Sequence, residues 1–509
     1  LSLPTRISEE SDKWKRIRCD EASQDVFLGF LNVHDYKIYS SSEEALLKLI
    51  SRIREDVLKS IDLKLISSTE HSFTEILSCK PQDKPICITC FDLLYQADTI
   101  ECIWPIYQSI LAHNFDVKDF SLSVSLPTGI LVNNHSMIVW IRKMCNDLKV
   151  HCSLETLVDL KETFKPLLGW SIGKQAGLVY KGQSQFNISI EYYHEETQRN
   201  HMFLTKIPSA EFGMKKTRVK GKHIWTGDSR PNISNALQKV SDEEFLKMCK
   251  GCPPLSVKER WKNKPPILEH ATIYVGGRYN KFSRDISQTP WIINGIKLAP
   301  TSVSECIGEK LRELFRCDDY NIVPAGREDS NVRMLGNGRP FFMEIINPRN
   351  PFPSKEALND VQEEINKEYT DLFWKPKSKQ DLSIIKEGEE TKTKTYSALA
   401  WISKKVTPEV IDEINKFHDG FTINQRTPIR VLQRRSPAVR TKKIHYIFAE
   451  QMEDNFLTLR MKTEAGTYIK EFIHGDLGRT VPSLGDMIGC HADILVLDVL
   501  EVDLEWPIQ

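Results

Sequence analysis

The chain has 509 residues, of which 40% are hydrophobic and 27% charged, and its formal net charge is zero. That length exceeds one ordinary core and implies roughly two to four domains, and the composition is that of a folded globular protein, not a disordered or fibrous one. Zero net charge excludes a global attraction to nucleic acid, so any RNA or DNA binding must rest on local basic patches. No apolar run approaches the ~20 residues of a membrane span, and no membrane partner is expected.

The start, "LSLPTRISEESDKWKRIRCD", is polar and mixed in charge, unlike a secretory signal. Together with twelve cysteines in no regular framework, it points to a reducing, intracellular setting, nucleus or cytoplasm. The first clear element is Ser41 to Ile61, where Leu46, Leu47, Ile50, Ile53, Val57 and Leu58 repeat at helical spacing. "CFDLLYQADTIECIWPIYQSILAHN" and "HSMIVWIRKMCNDL" read as helices, whereas "FSLSVSLP" and "QFNISIEYYHE" alternate like strands. The mixture predicts a small α/β or α+β unit over residues 90–252, after an N-terminal helical segment over 1–89. Two Pro-Pro pairs in "CPPLSVKERWKNKPPILEH" predict a linker over 253–268.

Beyond it, "HATIYVGGRYNKFSRDISQTPWIING" begins as a strand and ends as a loop. "TSVSECIGEKLRELF" is an amphipathic helix with Ser302 and Glu305 in capping-box spacing. "PFFMEIINP", "KTKTYSALAWISK", "KIHYIFAEQM", "NFLTLRMKTEAG" and "DILVLDVLEVDLEW" read as strands, and "SKEALNDVQEEINKEY" as a helix. Residues 269–509 are therefore expected to form a sheet-rich α+β domain.

Two CxxC pairs, Cys87/Cys90 and Cys249/Cys252, have the spacing of half a tetrahedral zinc site, or are helix and loop cysteines without metal. "KKTRVKGK" carries five basic residues in eight and reads as a phosphate-contacting edge, a solvated charge run or a nuclear-import signal. The phosphate loop GxxxxGK[ST], HExxH and GxSxG are absent, which leaves carboxylate, tyrosine and basic side chains to carry any chemistry. Three segments supply them: "GREDSNVRMLGNGRPF" with Asp329, "KTKTYSALAW" with Tyr396, and "AGTYIKEFIHGDLGRT" with Lys470. Taken singly, these are a charged turn, a strand tyrosine and a solvated helix lysine. A carboxylate beside a cation stays ionised, and an ionised Asp can serve as nucleophile or base.

In this order and spacing the three segments resemble the signature of pseudouridine synthases. "GTYIK" followed by "DLG" is similar to the enzymes acting on the TΨC arm of tRNA. With "GGRYNKFSRDISQTPW" and "GEETKTKTYSAL", the chain looks like the archaeal and eukaryotic pseudouridine synthase number ten. The resemblance runs from Ala271 to the C-terminus and is weaker before it. It implies a THUMP-containing α/β RNA-binding domain, then a catalytic domain on a mixed, mainly antiparallel sheet. It implies that Asp329 attacks C1′ of a uridine or takes a ribose proton, that Tyr396 stacks on the base and helps remove the C5 proton, and that Lys470 pairs with Asp329. No metal or organic cofactor is required for that isomerisation.

The implied partner is tRNA, at uridines 54 and 55, bound by a monomer. The alternative is a non-catalytic RNA-binding or processing scaffold, acting for example on other structured small RNAs. Thr289–Ser302 corresponds to the family's forefinger loop and Thr427–Lys442 to its thumb loop. From Gln425 to Lys443 the chain has seven Lys/Arg and no Asp/Glu, which independently favours phosphate contact. Expected RNA contacts are Arg278, Tyr279, Arg284 and Trp291; Arg327; Arg430, Arg434, Arg435 and Arg440; and Lys215, Lys216 and Arg218. The family's zinc site uses two CxxC pairs, one matching Cys87/Cys90. The other is reduced here to Cys19, leaving Cys79 or Cys249/Cys252 to complete a structural zinc.

Overall fold

The computed structural model describes residues 86–149, 159–213, 215–219, 222–226, 229–368, 372–377, 385 and 391–506, with backbone alone over 215–219, 222–226, 368 and 372–377. The expected helix at Ser41–Ile61, and Cys19 and Cys79, lie outside these residues. A division between Glu269 and His270 separates two compact units, with Asn114–Val117 grouped with the second.

In the first unit, β1 (Asp119–Ser125) turns Phe120, Leu122 and Val124 inward by its period-two alternation. It lies between β2 (Val179–Tyr180) and β3 (Phe186–Tyr193) and is parallel to both. Helices Ile100–His113, Thr128–Asp147 and Leu160–Ala176 belong to the same unit. The last is capped by the Asp159 carboxylate, which accepts from the Lys161 N–H, and stops at Gly177 in the left-handed region. β4 (Lys215–Val219) and β5 (Lys222–Thr226) form an antiparallel hairpin.

The segment expected as a linker contains two short strands. β6 (Lys262–Asn263) pairs with Tyr192 and Tyr193, and β7 (Ile267–His270) also pairs with β3. Pro265 and Pro266 fall between these two short strands, where their missing N–H groups interrupt no ladder.

The second unit contains β8 (Ile273–Lys281), β9 (Ile292–Ile293), β10 (Ile296–Lys297), β11 (Asp319–Pro324), β12 (Arg333–Ile346), β13 (Leu372–Lys377), β14 (Lys394–Ile402), β15 (Phe421–Arg426), β16 (Val439–Glu453), β17 (Phe456–Thr463), β18 (Thr480–Val481) and β19 (Ala492–Val502). Apart from the β9/β10 hairpin, they form one sheet of order β13-β8-β12-β19-β14-β17-β16-β15-β18, with β11 also on β12. All its pairings are antiparallel except β12 with β19, which meet in parallel at Arg333↔Asp498 and Met334↔Val499. The core is built from alternating strand residues such as Phe341, Met343, Ala398, Ala400, Leu459 and Met461.

Helix Val303–Phe315 contributes Val303, Ile307, Leu311 and Phe315 to the same core. Its Ser302 cap forms as expected, the hydroxyl accepting from the Glu305 N–H. "RMLGNGRPF", whose glycines suggested a turn, lies within β12 as a bulge between Met334 and Arg339. Gly336 and Gly338 sit at positive φ there, and a Cβ at Gly338 would lie 2.7 Å from the Tyr279 carbonyl oxygen. Only glycine fits that approach.

Candidate active site

The loop from Ala325 to Val332 joins β11 to β12, and its two adjacent acids face different surroundings. Glu328 points inward. Its Oε2 lies 2.6 Å from Arg339 Nε, with both side chains 1% exposed. The N–H does not point along that line, so this is an ion contact without an aligned hydrogen bond. Arg339 also donates to the Ala325 carbonyl at 2.8 Å, and the Tyr279 hydroxyl donates to Glu328 Oε1 at 2.7 Å. The amide of buried Gln288 donates to the Tyr279 hydroxyl and to the Gly326 carbonyl, at 2.7 and 3.0 Å. Burial opposes the charge on Arg339, and the Glu328 carboxylate against it favours the charge, so the guanidinium stays above its ordinary range.

Asp329 points outward, with its side chain 44% exposed. Its Oδ2 accepts from Lys470 Nζ at 2.8 Å and from Arg430 at 3.4 Å, and Lys470 also donates to Asn331 Oδ1 at 3.2 Å. Burial pushes the Asp329 carboxyl up. The Lys470 hydrogen bond and charge, with the Arg430 and Arg327 cations, outweigh it and hold the group below the ordinary Asp range. An exposed, ionised carboxylate with a fixed lysine partner is poised to attack an electrophilic carbon or take a proton.

Each partner is itself positioned. Lys470 rides on helix Ile469–His474, whose cap residue Tyr468 is held on both backbone groups by buried Gln425. Its N–H donates to Gln425 Oε1 and its carbonyl accepts from Nε2, each at 2.9 Å. Arg430 is turned toward Asp329 by the buried carboxylate of Glu471, which accepts from its Nε at 2.7 Å. Behind the loop, buried Lys281 donates to the carbonyls of Ser283, Ile286 and Ser330. The Ser330 contact fixes the residue after Asp329. Burial is the main reason that the Lys281 amine falls to about 8.

Tyr396 lies on β14, opposite Met461 of β17 and Val499 of β19. Burial pushes its phenol up to about 12, with Arg339 pulling it down and Glu328 pushing it up. The hydroxyl is therefore protonated at neutral pH. What Tyr396 offers is a ring face and an O–H, not a standing phenolate.

The sequence-derived RNA contacts divide. Arg430 meets Asp329, and exposed Arg327 reaches the Thr289 hydroxyl at 3.4 Å. Arg434 and Arg435 are exposed on the loop between β15 and β16, where Arg435 donates to the Tyr468 hydroxyl. Arg440 is half-buried against Thr427, and Trp291 is exposed at the start of the β9/β10 hairpin. The backbone of Lys215, Lys216 and Arg218 lies in β4, and their side chains are outside the described residues.

Three of the expected contacts are engaged within the fold. Arg278 donates to five backbone carbonyls, those of Asn337, Gly338, Val502, Leu504 and Trp506, which leaves no guanidinium N–H for phosphate. Tyr279 is fully buried in the Glu328 cluster. Arg284 is tied to Asp498, which Arg333 also pairs, and to two carbonyls. Sequence reasoning missed Arg339, Gln288, Lys281, Gln425 and Glu471. One signal was available: an arginine inside an apolar strand needs a buried acid, and the unassigned Glu328 stands nearby in the chain.

The two CxxC pairs differ. Cys87 and Cys90 contact each other, and the hydrogen bond from Cys90 outweighs burial to bring the Cys87 thiol down to about 6. Two thiols are half a zinc set, and among the described residues no group of three or more His, Cys, Asp or Glu could hold a metal ion. Burial pushes both the Cys249 and the Cys252 thiol up.

Comparison with known proteins gives a consistent result. The family model "Pus10, C-terminal" matches residues 274–503, and "Eukaryotic Pus10, N-terminal" matches residues 87–263. The chain is 35% identical over 425 residues to the tRNA pseudouridine synthase Pus10 of Homo sapiens, covering 83% of this chain and 79% of that one. It is 37% identical over 428 residues to the protein of that name from Xenopus laevis, covering 83% and 81%. The Pyrococcus furiosus protein of that name is 39% identical over 240 residues, 46% of this chain and 58% of its own. Among solved structures, a Cbf5-Nop10-Gar1 complex matches at 17% identity and a TM-score of 0.25, over 44% of this chain and 47% of that one.

Proposed function

The chain belongs to the Pus10 family of tRNA pseudouridine synthases, and from that premise we propose that it isomerises uridine to pseudouridine in tRNA, at position 54, position 55 or both. The observation that carries the reading is Asp329, an accessible carboxylate kept ionised by Lys470 and Arg430. In the proposed reaction the Asp329 carboxylate attacks C1′ of the flipped-out uridine, and the C1′–N1 bond breaks. The detached uracil turns, C5 bonds to C1′, the carboxylate leaves, and C5 loses its proton while N1 gains one. In the competing scheme Asp329 takes a ribose proton first.

Lys470 orients the carboxylate in either case, and the Tyr396 ring stacks on the uracil while it is detached. With its phenol pushed up to about 12, Tyr396 takes part in the C5 proton transfer as a relay rather than as a free base. Flipping costs a few kcal/mol of unstacking, which stacking and cation contacts offset. Arg327, exposed on the Asp329 loop, and Arg434 and Arg435, exposed on the Arg430 loop, are assigned to phosphates. The first unit is read as the THUMP-type RNA-holding half.

The test is to incubate the protein with an unmodified tRNA transcript and map pseudouridine by mass spectrometry. Pseudouridine at 54, 55 or both is expected. A transcript that returns unchanged would overturn the reading.

A further inference from the structure

The loop that follows the Lys470 helix has a feature that its catalytic neighbours do not explain. Gly475, Asp476, Leu477 and Gly478 all stand at positive φ, at 76°, 45°, 56° and 78°. Two of the four are not glycine, and a leucine in the left-handed region is disfavoured by the clash of its Cβ with the backbone. Nothing is gained by packing in return, because Leu477 is 90% exposed.

The conformation is held from both sides. The backbone N–H of Arg479 donates to the carbonyls of Gly475 and Asp476, and that of Thr480 donates to Gly475. The partly buried Asp476 carboxylate accepts from the Ile429 N–H and lies 3.5 Å from Arg479 Nε, while Arg479 donates to the Thr427 carbonyl. An over-determined, strained turn that presents a large apolar side chain to water has the signature of a site shaped for a ligand.

The loop's neighbours identify the ligand. Asp476 is bonded to Ile429, and the next residue, Arg430, touches Asp329. Ile429 and Leu432 are exposed on the same basic loop that carries Arg434 and Arg435. An apolar tip whose neighbour Asp476 is bonded to the basic loop, the loop whose Arg430 contacts the Asp329 carboxylate, matches the chemistry of a side chain that wedges between stacked bases while cations hold the phosphates.

Resting on the proposed RNA reaction, we infer that Leu477 is the wedge that fills the stack vacated by the flipped uridine, positioned by the strained Gly475–Arg479 turn. It does not react. It lowers the free energy of the extruded state, so its effect falls on the rate of the bound complex more than on affinity.

The test uses the full chain with Leu477→Ala, Leu477→Phe and Leu477→Gly, measuring thermal unfolding, tRNA binding and single-turnover pseudouridine formation. Leu477→Ala should bind tRNA within about threefold of wild type and react about tenfold or more slowly, the loss expected for one base-stacking contact. Leu477→Phe, which restores apolar area, should recover most of the rate. Leu477→Gly relieves the backbone strain and should unfold at the same or a higher temperature while reacting as slowly as Leu477→Ala. Wild-type rates in Leu477→Ala, from an otherwise active protein, would overturn the inference and leave the proposed function standing. A wild-type protein that makes no pseudouridine would overturn the function and this inference with it.

Discussion

Glu328 and Asp329 are adjacent in the chain and do opposite work. Glu328 is buried against an equally buried Arg339 and serviced by Tyr279 and Gln288, so its charge is consumed in holding the loop. Asp329 faces outward between Lys470 and Arg430 and keeps its charge available. Both acids face cations, but only the outer acid has a lysine partner that leaves it accessible. Within one short loop, the inner acid anchors the backbone and the outer acid stays accessible, which is the division that the proposed function uses.

Removing the inner half should have the largest effect. Arg339→Leu leaves Glu328 as an uncompensated buried charge, and chemical denaturation should show a loss of about 3–5 kcal/mol. The double change Glu328→Leu with Arg339→Met should recover most of that stability without recovering the reaction rate, because the loop is no longer anchored. Recovery of both would erase the proposed division between the two acids.

Next is the outer half. Lys470→Met removes a charge-assisted hydrogen bond, and pseudouridine formation should slow by about ten- to hundredfold. With Lys470 gone, burial acts on Asp329 with less opposition, so its carboxyl rises. The ionised form is then lost at higher pH as the solution is acidified, and the acid limb of the rate profile moves upward in pH. A limb that stays in place would show that Asp329 does not govern it.

Smaller effects should follow at the edges of the site. Tyr396→Phe keeps the ring and loses the hydroxyl, whereas Tyr396→Leu loses both, so single-turnover rates should fall in the order wild type, Phe, Leu. Equal rates for Phe and Leu would leave the ring without a role. Replacing Arg434 and Arg435 with alanine should weaken tRNA binding only a few-fold, but should flatten the slope of log affinity against log salt by about 1.4–1.8. An unchanged slope would remove these arginines from the phosphate contacts.

Much of the second unit was legible because one face of each element is buried. The alternation in Lys394–Ile402 and Phe456–Thr463 and the apolar stripe of Val303–Phe315 declare their periods. β11 has no such contrast along "DYNIVP", and the glycines of β12 look like a turn until the Tyr279 carbonyl is seen against them. The first unit was read less fully: helix Leu160–Ala176 has polar residues and Pro166 spread around it and shows no clean stripe. In the candidate site, motif order coupled Asp329 with Lys470, which lie 141 residues apart in the chain and 2.8 Å apart in the fold.

The anchoring groups were not found, because a lone Arg339 or Lys281 in sequence does not say which carbonyl or acid it meets. Arg278 shows the converse. Its charge suggested phosphate, while the fold engages all of its donors internally.

The most direct test of the account is tritium release from tRNA labelled at C5 of uridine, comparing wild type with Asp329→Ala alongside a binding measurement. Wild type should release tritium, and Asp329→Ala should release none while binding tRNA nearly as well. Release that persists in Asp329→Ala, or a wild type that binds tRNA and never releases tritium, would contradict it.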